Sequence, residues 1–333
     1  MLWAEHVARN TACDRDDIAA EVKAHFSYAE FVELTAVCGL FGQSNRFQDS
    51  MRLPIEEQHE VDKIRTSVRA DPAKLKAYLE RILEYWPAVF PPPAAVVAAT
   101  LPEAVPAGDT RGCRVPLLDS GSADADSARF ISASNALLGG VSNAVRAWAH
   151  TPHVAKMFLP FYFAFERDGV GSLLPAPLRL MVLLKIHHTH NARYMLAHHT
   201  MLGRAAGLDQ QHLHALSRAD AAVAPVFSPR ERAAIAWAAL VATNSAKRDD
   251  AVFGELKKHF NPAEIVEMTA LCAIASNADL VYNALRVPLE PATALGEMYP
   301  AVVADPARLR AYLEAVIADW PATMPAIDAG PRG

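Results

Sequence analysis

An all-α protein is what this sequence predicts, on three observations. Apolar residues make up 52% of the 333, weighted toward Ala and Leu with only 15 Gly, a balance that favours helices. Apolar positions recur at three- and four-residue spacing behind recognisable N-cap residues. The helix punctuation itself recurs, because residues 1–91 are repeated near the C-terminus at a constant offset of 234, without a gap.

The repeat pairs Trp3 with Trp237, His25-Phe26 with His259-Phe260 and Cys38 with Cys272. It continues through Arg52 and Arg286, Pro54 and Pro288, Ala70-Asp71-Pro72-Ala73 and Ala304-Asp305-Pro306-Ala307, and Trp86-Pro87 and Trp320-Pro321. Agreement over that length indicates internal duplication.

Taken in order, Ser27-Tyr28-Ala29-Glu30 is a capping box opening a helix whose buried face is expected to be Phe31, Leu34, Val37, Cys38 and Phe41. Asp71-Pro72 opens the next helix and Trp86-Pro87 stops it. Residues 1–91 thus form a partial, back-half repeat, and 92–125, rich in Pro, Ala, Gly and Ser, form an extended linker between lobes.

Residues 126–325 make a full module, followed by a tail, 326–333. Helical spacing resumes over Val141–His150 and Val154–Glu166, and Leu174-Pro175-Ala176-Pro177 opens a helix toward Lys185. A helix through His199 is expected to end at Gly207, with Asp209 capping a short helix to Leu216. Ser228-Pro229-Arg230-Glu231 opens the helix of Trp237, and Asn261-Pro262-Ala263-Glu264 that of Ile265, Met268, Leu271, Cys272 and Ala275. The front half, about 126–234, precedes the C-terminal copy alone, so only the full module holds a candidate site.

A formal charge of −5 with scattered Lys and Arg argues against a nucleic-acid partner or an anionic membrane. No apolar run reaches the ~18 residues of a membrane span and the N-terminus lacks the basic and apolar regions of a signal peptide, so a cytoplasmic protein is expected. The four cysteines contain no Cys-x-x-Cys, and Cys38 and Cys272 read as inert core thiols.

Chemistry concentrates in Lys185–His199, which holds five of the 13 histidines, the side chains that move protons near neutral pH. Read as one helix at 100° per residue, His188, Ala192, Met195 and His199 share a face, and His187, Asn191, Tyr194 and His198 the neighbouring one. His187, His188 and His190 read first as solvated helix-end residues. The i, i+4 set His190, Tyr194 and His198 has metal-ligand spacing. Yet no Asp or Glu lies between Asp168 and Asp209, so no metal is assigned. Asn277, Asp279 and Asn283, with Gln43, Asn45 and Asp49 in the first copy, read as caps or interface hydrogen bonds rather than a shared cleft.

Leu174 to Glu290 resembles the carboxymuconolactone decarboxylase and alkylhydroperoxidase D (AhpD-like) superfamily. The resemblance is carried by Leu174-Pro175-x-x-Leu178-Arg179-x-x-Val182-Leu183-Leu184-Lys185, Tyr194-x-x-Ala197-His198-His199, Gly203-Arg204-Ala205-Ala206-Gly207-Leu208 and Ala284-Leu285-Arg286-Val287-Pro288-Leu289-Glu290. It implies an all-α, AhpD-like fold of paired helices, here one full module plus one back-half module, and a homo-oligomer, trimeric or hexameric in many members. The peroxidase branch uses a Cys-x-x-Cys-x-x-x-His helix and an upstream Glu. By position the cysteines fall on Ala192 and Met195, the Glu on Leu180 and the His on His199. Members without the cysteines often carry a Glu at the position of Met195, which is also missing. Thiol peroxidase chemistry needs a thiolate that becomes a sulfenic acid, so it is not expected of this chain.

The expected function is therefore a carboxymuconolactone decarboxylase-like enzyme using His-based acid–base chemistry on a small carboxylated or carbonyl compound, with no redox cofactor. His199 is the candidate acid or base, with His198 and Tyr194 orienting it or the substrate. Arg193, His188 and His190 are candidate substrate-binding residues, Arg193 through a bidentate carboxylate contact. The alternatives are a catalytically silent binding or assembly protein and a His-ligated metal enzyme.

Overall fold

The structure, a computed structural model, describes residues 2–64, 71–87, 89–90, 111–121, 123–291, 294–295 and 303–321. It is all-α: the described residues contain no strand, only an isolated bridge between Asp168 and Val303. The tail, 326–333, and residues 92–110 of the expected linker lie outside the described residues.

The helices are α1 (Leu2–Ala8), α2 (Asp16–His25), α3 (Tyr28–Met51), α4 (Gln58–Ile64) and α5 (Pro72–Glu84), then α6 (Ala125–Leu138), α7 (Asn143–Trp148) and α8 (Pro152–Glu166). They continue with α9 (Ala176–Thr189), α10 (Arg193–Ala205), α11 (Gln210–Leu216), α12 (Pro229–Ala242), α13 (Asp250–His259), α14 (Pro262–Leu285) and α15 (Pro306–Ala318). The bounds of α2, α3 and α5 recur in α13, α14 and α15 at the sequence offset of 234. Capping boxes start α3, α12 and α14, while Asp71 and Asp305, each followed by Pro, cap α5 and α15.

The main core gathers α9, α12 and α14 around the fully buried Trp237, whose indole N–H reaches Thr269 Oγ1 at 3.0 Å. In the first lobe Trp3 reaches Thr35 Oγ1 at the same 3.0 Å. A buried indole contributes apolar area only if its N–H is bonded, and both copies meet that condition the same way. By length and composition α14 passes for a membrane span, contrary to the expectation that no run would, but it lies mostly inside the fold.

The face expected to be buried on α3 is corrected. Phe31 is buried, but Val37 and Phe41 are 44% and 64% exposed. Their counterparts Leu271 and Ala275 on α14 are buried in the core that α9 and α12 share. The front half that covers that face exists once in the sequence, so the equivalent face of α3 lacks it. What α3 buries instead is Thr35, Ala36, Gly39, Gly42 and Arg46, the side turned to α14. The approach is close: a Cβ at Gly39 would lie 2.3 Å from Asn277 Oδ1 and 2.6 Å from Val281 Cγ2. Gly39→Leu is expected to lower stability by about 2–3 kcal/mol, overpacking outweighing the helix-propensity gain of about 1 kcal/mol. Urea unfolding would show this as a lower midpoint at unchanged slope.

Where the expected linker is described, Arg114 and Val115 are buried. Arg114 Nη1 donates to the carbonyls of Ala12 and Ala284, both at 2.7 Å, tying the two lobes together.

The histidine stretch is also corrected, being a corner between two helices. α9 ends at Thr189 and α10 begins at Arg193. Between them Asn191 takes φ 51°, a left-handed conformation that Asn tolerates, and Ala192 N–H bonds the His187 carbonyl at 2.9 Å. Faces counted at 100° per residue therefore do not carry across the corner.

Candidate functional site

A pocket opens between α6, α7, α8 and α10, with an empty volume of about 750 Å³ including its mouth. Its walls are mainly aromatic and aliphatic, among them Phe130, Trp148, Phe158, Tyr162 and Phe163. The polar groups facing it include Glu166 and Arg167 at the end of α8, and Tyr194, His198 and His199 on α10.

His199 is fully buried and stands at one end of a hydrogen-bonded chain. Its Nδ1 is 2.8 Å from His187 Nε2, and the two rings stack with centroids 4.7 Å apart. His187 Nδ1 lies 2.7 Å from Asp279 Oδ1 on α14. Asp279 Oδ2 is 2.9 Å from His190 Nδ1, and His190 Nε2 is 3.0 Å from the Ala242 carbonyl that ends α12. On the pocket side, His199 Nε2 lies 3.4 Å from Glu166 Oε1, within ion-pair range. That buried oxygen makes no hydrogen bond of its own.

Proton positions follow from the inventory of donors and acceptors. Burial would raise Asp279, but His187 and His190 outweigh it and hold the carboxyl below its ordinary range. An ionised Asp279 only accepts, so His187 Nδ1 donates. Burial lowers His187, against the pull of Asp279, and keeps the ring neutral. Its Nε2 then accepts, so His199 Nδ1 must donate. The atom of His199 left to gain or lose a proton is Nε2, the one facing Glu166 and the pocket. Burial would likewise raise Glu166, but His199, Arg167 and His187 bring it below the usual carboxylate range.

Tyr194 and His198 converge on a second carboxylate, Glu290. Tyr194 OH donates to Glu290 Oε1 at 2.9 Å, and His198 Nε2 lies 2.9 Å from Glu290 Oε2. Glu290 Oε1 also takes the Asn143 N–H and the Tyr194 oxygen takes that of Ala144, so the cluster ties down the start of α7. Burial opposes its ionisation, yet His198 and the Asn143 N–H hold Glu290 below its ordinary value.

Three candidate residues lie away from this pocket. His190 faces Asp279 and a second cleft that also contains Arg193. Arg193 is exposed, and the arginine lining the pocket is Arg167. His188 is half-buried outside both cavities, its value lowered to about 4 by burial first and by His187 and Lys185 next. His187, expected at a solvated helix end, is fully buried at the centre of the chain. His190, Tyr194 and His198 do not converge on one point, since the first faces Asp279 and the others Glu290.

Sequence reasoning missed Glu166 and Glu290 and took Asp279 for an interface residue. All three lie outside the carboxylate-free stretch between Asp168 and Asp209 that holds the histidines. The available signal for Asp279 was a charged residue within the buried stripe of an apolar helix, where the first copy carries Asn45.

Stability is expected to fall on acidification in two stages. His187 is more basic unfolded than folded, so stability declines as pH drops below the ordinary histidine value of 6.5. Asp279, Glu166 and Glu290 are more acidic folded, so their stabilisation is present above about pH 4.5 and lost as pH falls through their lowered values. Urea midpoints at pH 8, 5 and 3 check both stages, and a midpoint unchanged between pH 8 and 5 would refute the first.

Residues 152–240 match the model of the carboxymuconolactone decarboxylase family, a span that includes Glu166 and the histidine corner but neither Asp279 nor Glu290. No curated protein matches the chain in sequence. Among solved structures, the chain is similar to an uncharacterized peroxidase-related protein, an alkylhydroperoxidase AhpD core, from Ralstonia eutropha. Identity is 20% over 54% of this chain and 92% of that one, with a TM-score of 0.46. A peroxidase-related protein from Silicibacter sp. is 21% identical over 60% of this chain and 95% of that one, with a TM-score of 0.44. A debrominase solved with 2,3,4-tribromopyrrole is 20% identical over 51% and 89%, with a TM-score of 0.40.

Proposed function

We propose, for a chain whose residues 152–240 match the carboxymuconolactone decarboxylase family model, a cofactor-independent acid–base enzyme acting on a small carboxylated or carbonyl compound. The observation that carries this reading is the pair His199 Nε2 and Glu166 Oε1, 3.4 Å apart on the wall of an otherwise largely apolar pocket. One proton shared by that pair makes it an acid, and its loss makes it a base.

In a decarboxylation the substrate's C–C bond breaks, CO2 leaves, and the electron pair is delocalised into the remaining carbonyl. His199 Nε2–H then protonates the carbanion or enol, and solvent restores the proton. Run as a base, the same atom removes a proton next to a carbonyl, and the imidazolium formed is stabilised by Glu166 directly and by Asp279 through His187. The aromatic walls leave a carboxylate poorly solvated, which favours its departure as neutral CO2. Arg167, on the same wall, is placed to orient that carboxylate. Tyr194 and His198 act indirectly, by holding Glu290 and the start of α7.

The test is proton exchange and turnover across a panel of small β-keto acids, lactone acids and ketones, followed by NMR in D2O. Deuterium incorporation next to a carbonyl, or CO2 release, is expected with the parent and reduced ~100-fold or more with Glu166→Gln. Equal rates in both would remove Glu166 from the reaction, and binding without either change would favour a ligand-binding protein. Thiol-dependent peroxide consumption is expected to be undetectable, because Ala192 and Met195 stand where the peroxidase cysteines would. The pocket is lined by no cysteine, and Cys272 is buried with its thiol pushed up by desolvation.

A further inference from the structure

The two lobes meet across a local two-fold relation that the sequence offset makes visible. Arg286 Nε bonds the Cys13 carbonyl at 2.8 Å and Nη2 pairs with Asp16 at 2.7 Å. Their counterparts 234 residues away answer: Arg52 Nε bonds the Lys247 carbonyl at 3.1 Å and pairs with Asp250 at 2.6 Å. Asn283 with Asn10 is answered by Asn244 with Asp49. On the axis, Asn277 Nδ2 donates at 3.0 Å to Gln43 Oε1, and these two positions are each other's equivalents. Such reciprocity is the signature of an isologous interface between subunits, here within one chain.

The relation breaks at the histidine chain. Asp279 and Leu280 correspond to Asn45 and Arg46. Arg46 is buried and crosses from the first lobe, its Nε donating at 3.1 Å to the Ala242 carbonyl, the same oxygen that His190 Nε2 approaches. Its Nη1 bonds the Gly42 carbonyl at 3.1 Å, and a Cβ on Gly42 would stand 3.2 Å from that nitrogen. Ala242 ends α12, where the unsatisfied carbonyls carry the negative end of the helix dipole. Asp279 is the carboxylate whose charge acts on the Arg46 guanidinium. The other groups facing Asp279 are His187 of α9 and His190 in the corner that follows it, with Tyr162 of α8 and Tyr282 of its own helix also within reach of its charge.

We propose that the N-terminal lobe acts as a built-in partner subunit, and that Arg46 is its contribution to the site, a positioning residue for the histidine chain. Seated on the Ala242 carbonyl beside His190, the guanidinium adds its positive charge to the hold that His187 and His190 have on the Asp279 carboxylate. Asp279 therefore accepts from His187 Nδ1, and the exchangeable position of His199 stays on the pocket side. This rests on the reading of His199 and Glu166 as the proton-transfer pair, but its test is read without a substrate.

The full chain with 15N-labelled histidines is titrated from pH 5 to 9 by NMR, which reports the tautomer and protonation of each ring. Removing a cation makes its neighbours more basic, so in Arg46→Met the ring of His187 is expected to titrate about one pH unit higher. The acid limb of any turnover profile should move the same way. Arg46→Lys should restore most of the shift, and it stands in if Arg46→Met does not fold, with a smaller displacement expected. Arg52→Met loosens the symmetric contact without facing the histidines and should leave their titrations in place. Superimposable titrations in parent and Arg46→Met would overturn the proposal, as would an equal shift in Arg52→Met, which would trace the effect to lobe docking. Should His199→Ala leave turnover intact, the reading of the reaction fails, while the NMR comparison still decides the role of Arg46.

Discussion

His199→Ala is expected to reduce turnover and deuterium exchange by ~10²–10⁴-fold, the usual contribution of a positioned acid or base. The substitution removes the Nε2 that faces Glu166 and leaves His187 Nε2 without its donor. Both losses concern one buried polar chain, so part of the effect could be structural, and a second variant separates the two. His199→Gln can keep a donor toward His187 but cannot exchange a proton near neutral pH. It should fold with a thermal midpoint near the parent's and remain as inactive as His199→Ala. Parent-like turnover in either folded variant would sink the catalytic assignment.

The second large effect concerns stability. Asp279 is fully buried and accepts from two histidines at 2.7 and 2.9 Å. Asp279→Ala strips both of their acceptor and leaves Arg46 facing two rings with no compensating charge. Breaking a buried charge network from one side costs about 3–5 kcal/mol, and urea unfolding at pH 7.5 should show a loss in that range. Asp279→Asn keeps an acceptor and should lose less. The first lobe carries the neutral Asn45 at the equivalent position, and it is exposed, so the shared fold does not need the carboxylate there. A loss below about 1 kcal/mol in Asp279→Ala would mean that the network is not held by charge.

Particular residues explain how far the sequence was legible. Capping boxes at Ser27, Ser228 and Asn261 placed helix starts correctly because a cap is satisfied within four residues of itself. Gly207 likewise marked the end of α10, taking φ 95° just beyond its last turn. The error at Asn191 has a local cause too: one left-handed residue turns the chain, and nothing in the apolar spacing on either side announces it. The expected burial of Val37 and Phe41 failed for a different reason. Periodicity identifies an apolar face without saying whether a covering element exists, and among the described residues no counterpart of α9 covers that face of α3.

The sequence by itself determined the all-α class, the helix starts, the offset of 234 and the absence of the cysteines that a thiol peroxidase requires. It also singled out His199, though through resemblance. These properties are local, or are comparisons of one stretch with another. Only the tertiary structure decided which groups act on that histidine, because Glu166, His187, Asp279 and Arg46 come from four helices and as far apart as residues 46 and 279. The physical reason is the hydrogen-bonding demand of buried polar groups. A buried imidazole must find partners, but any carboxylate the fold brings within 3 Å satisfies it, and linear spacing does not record which one that is.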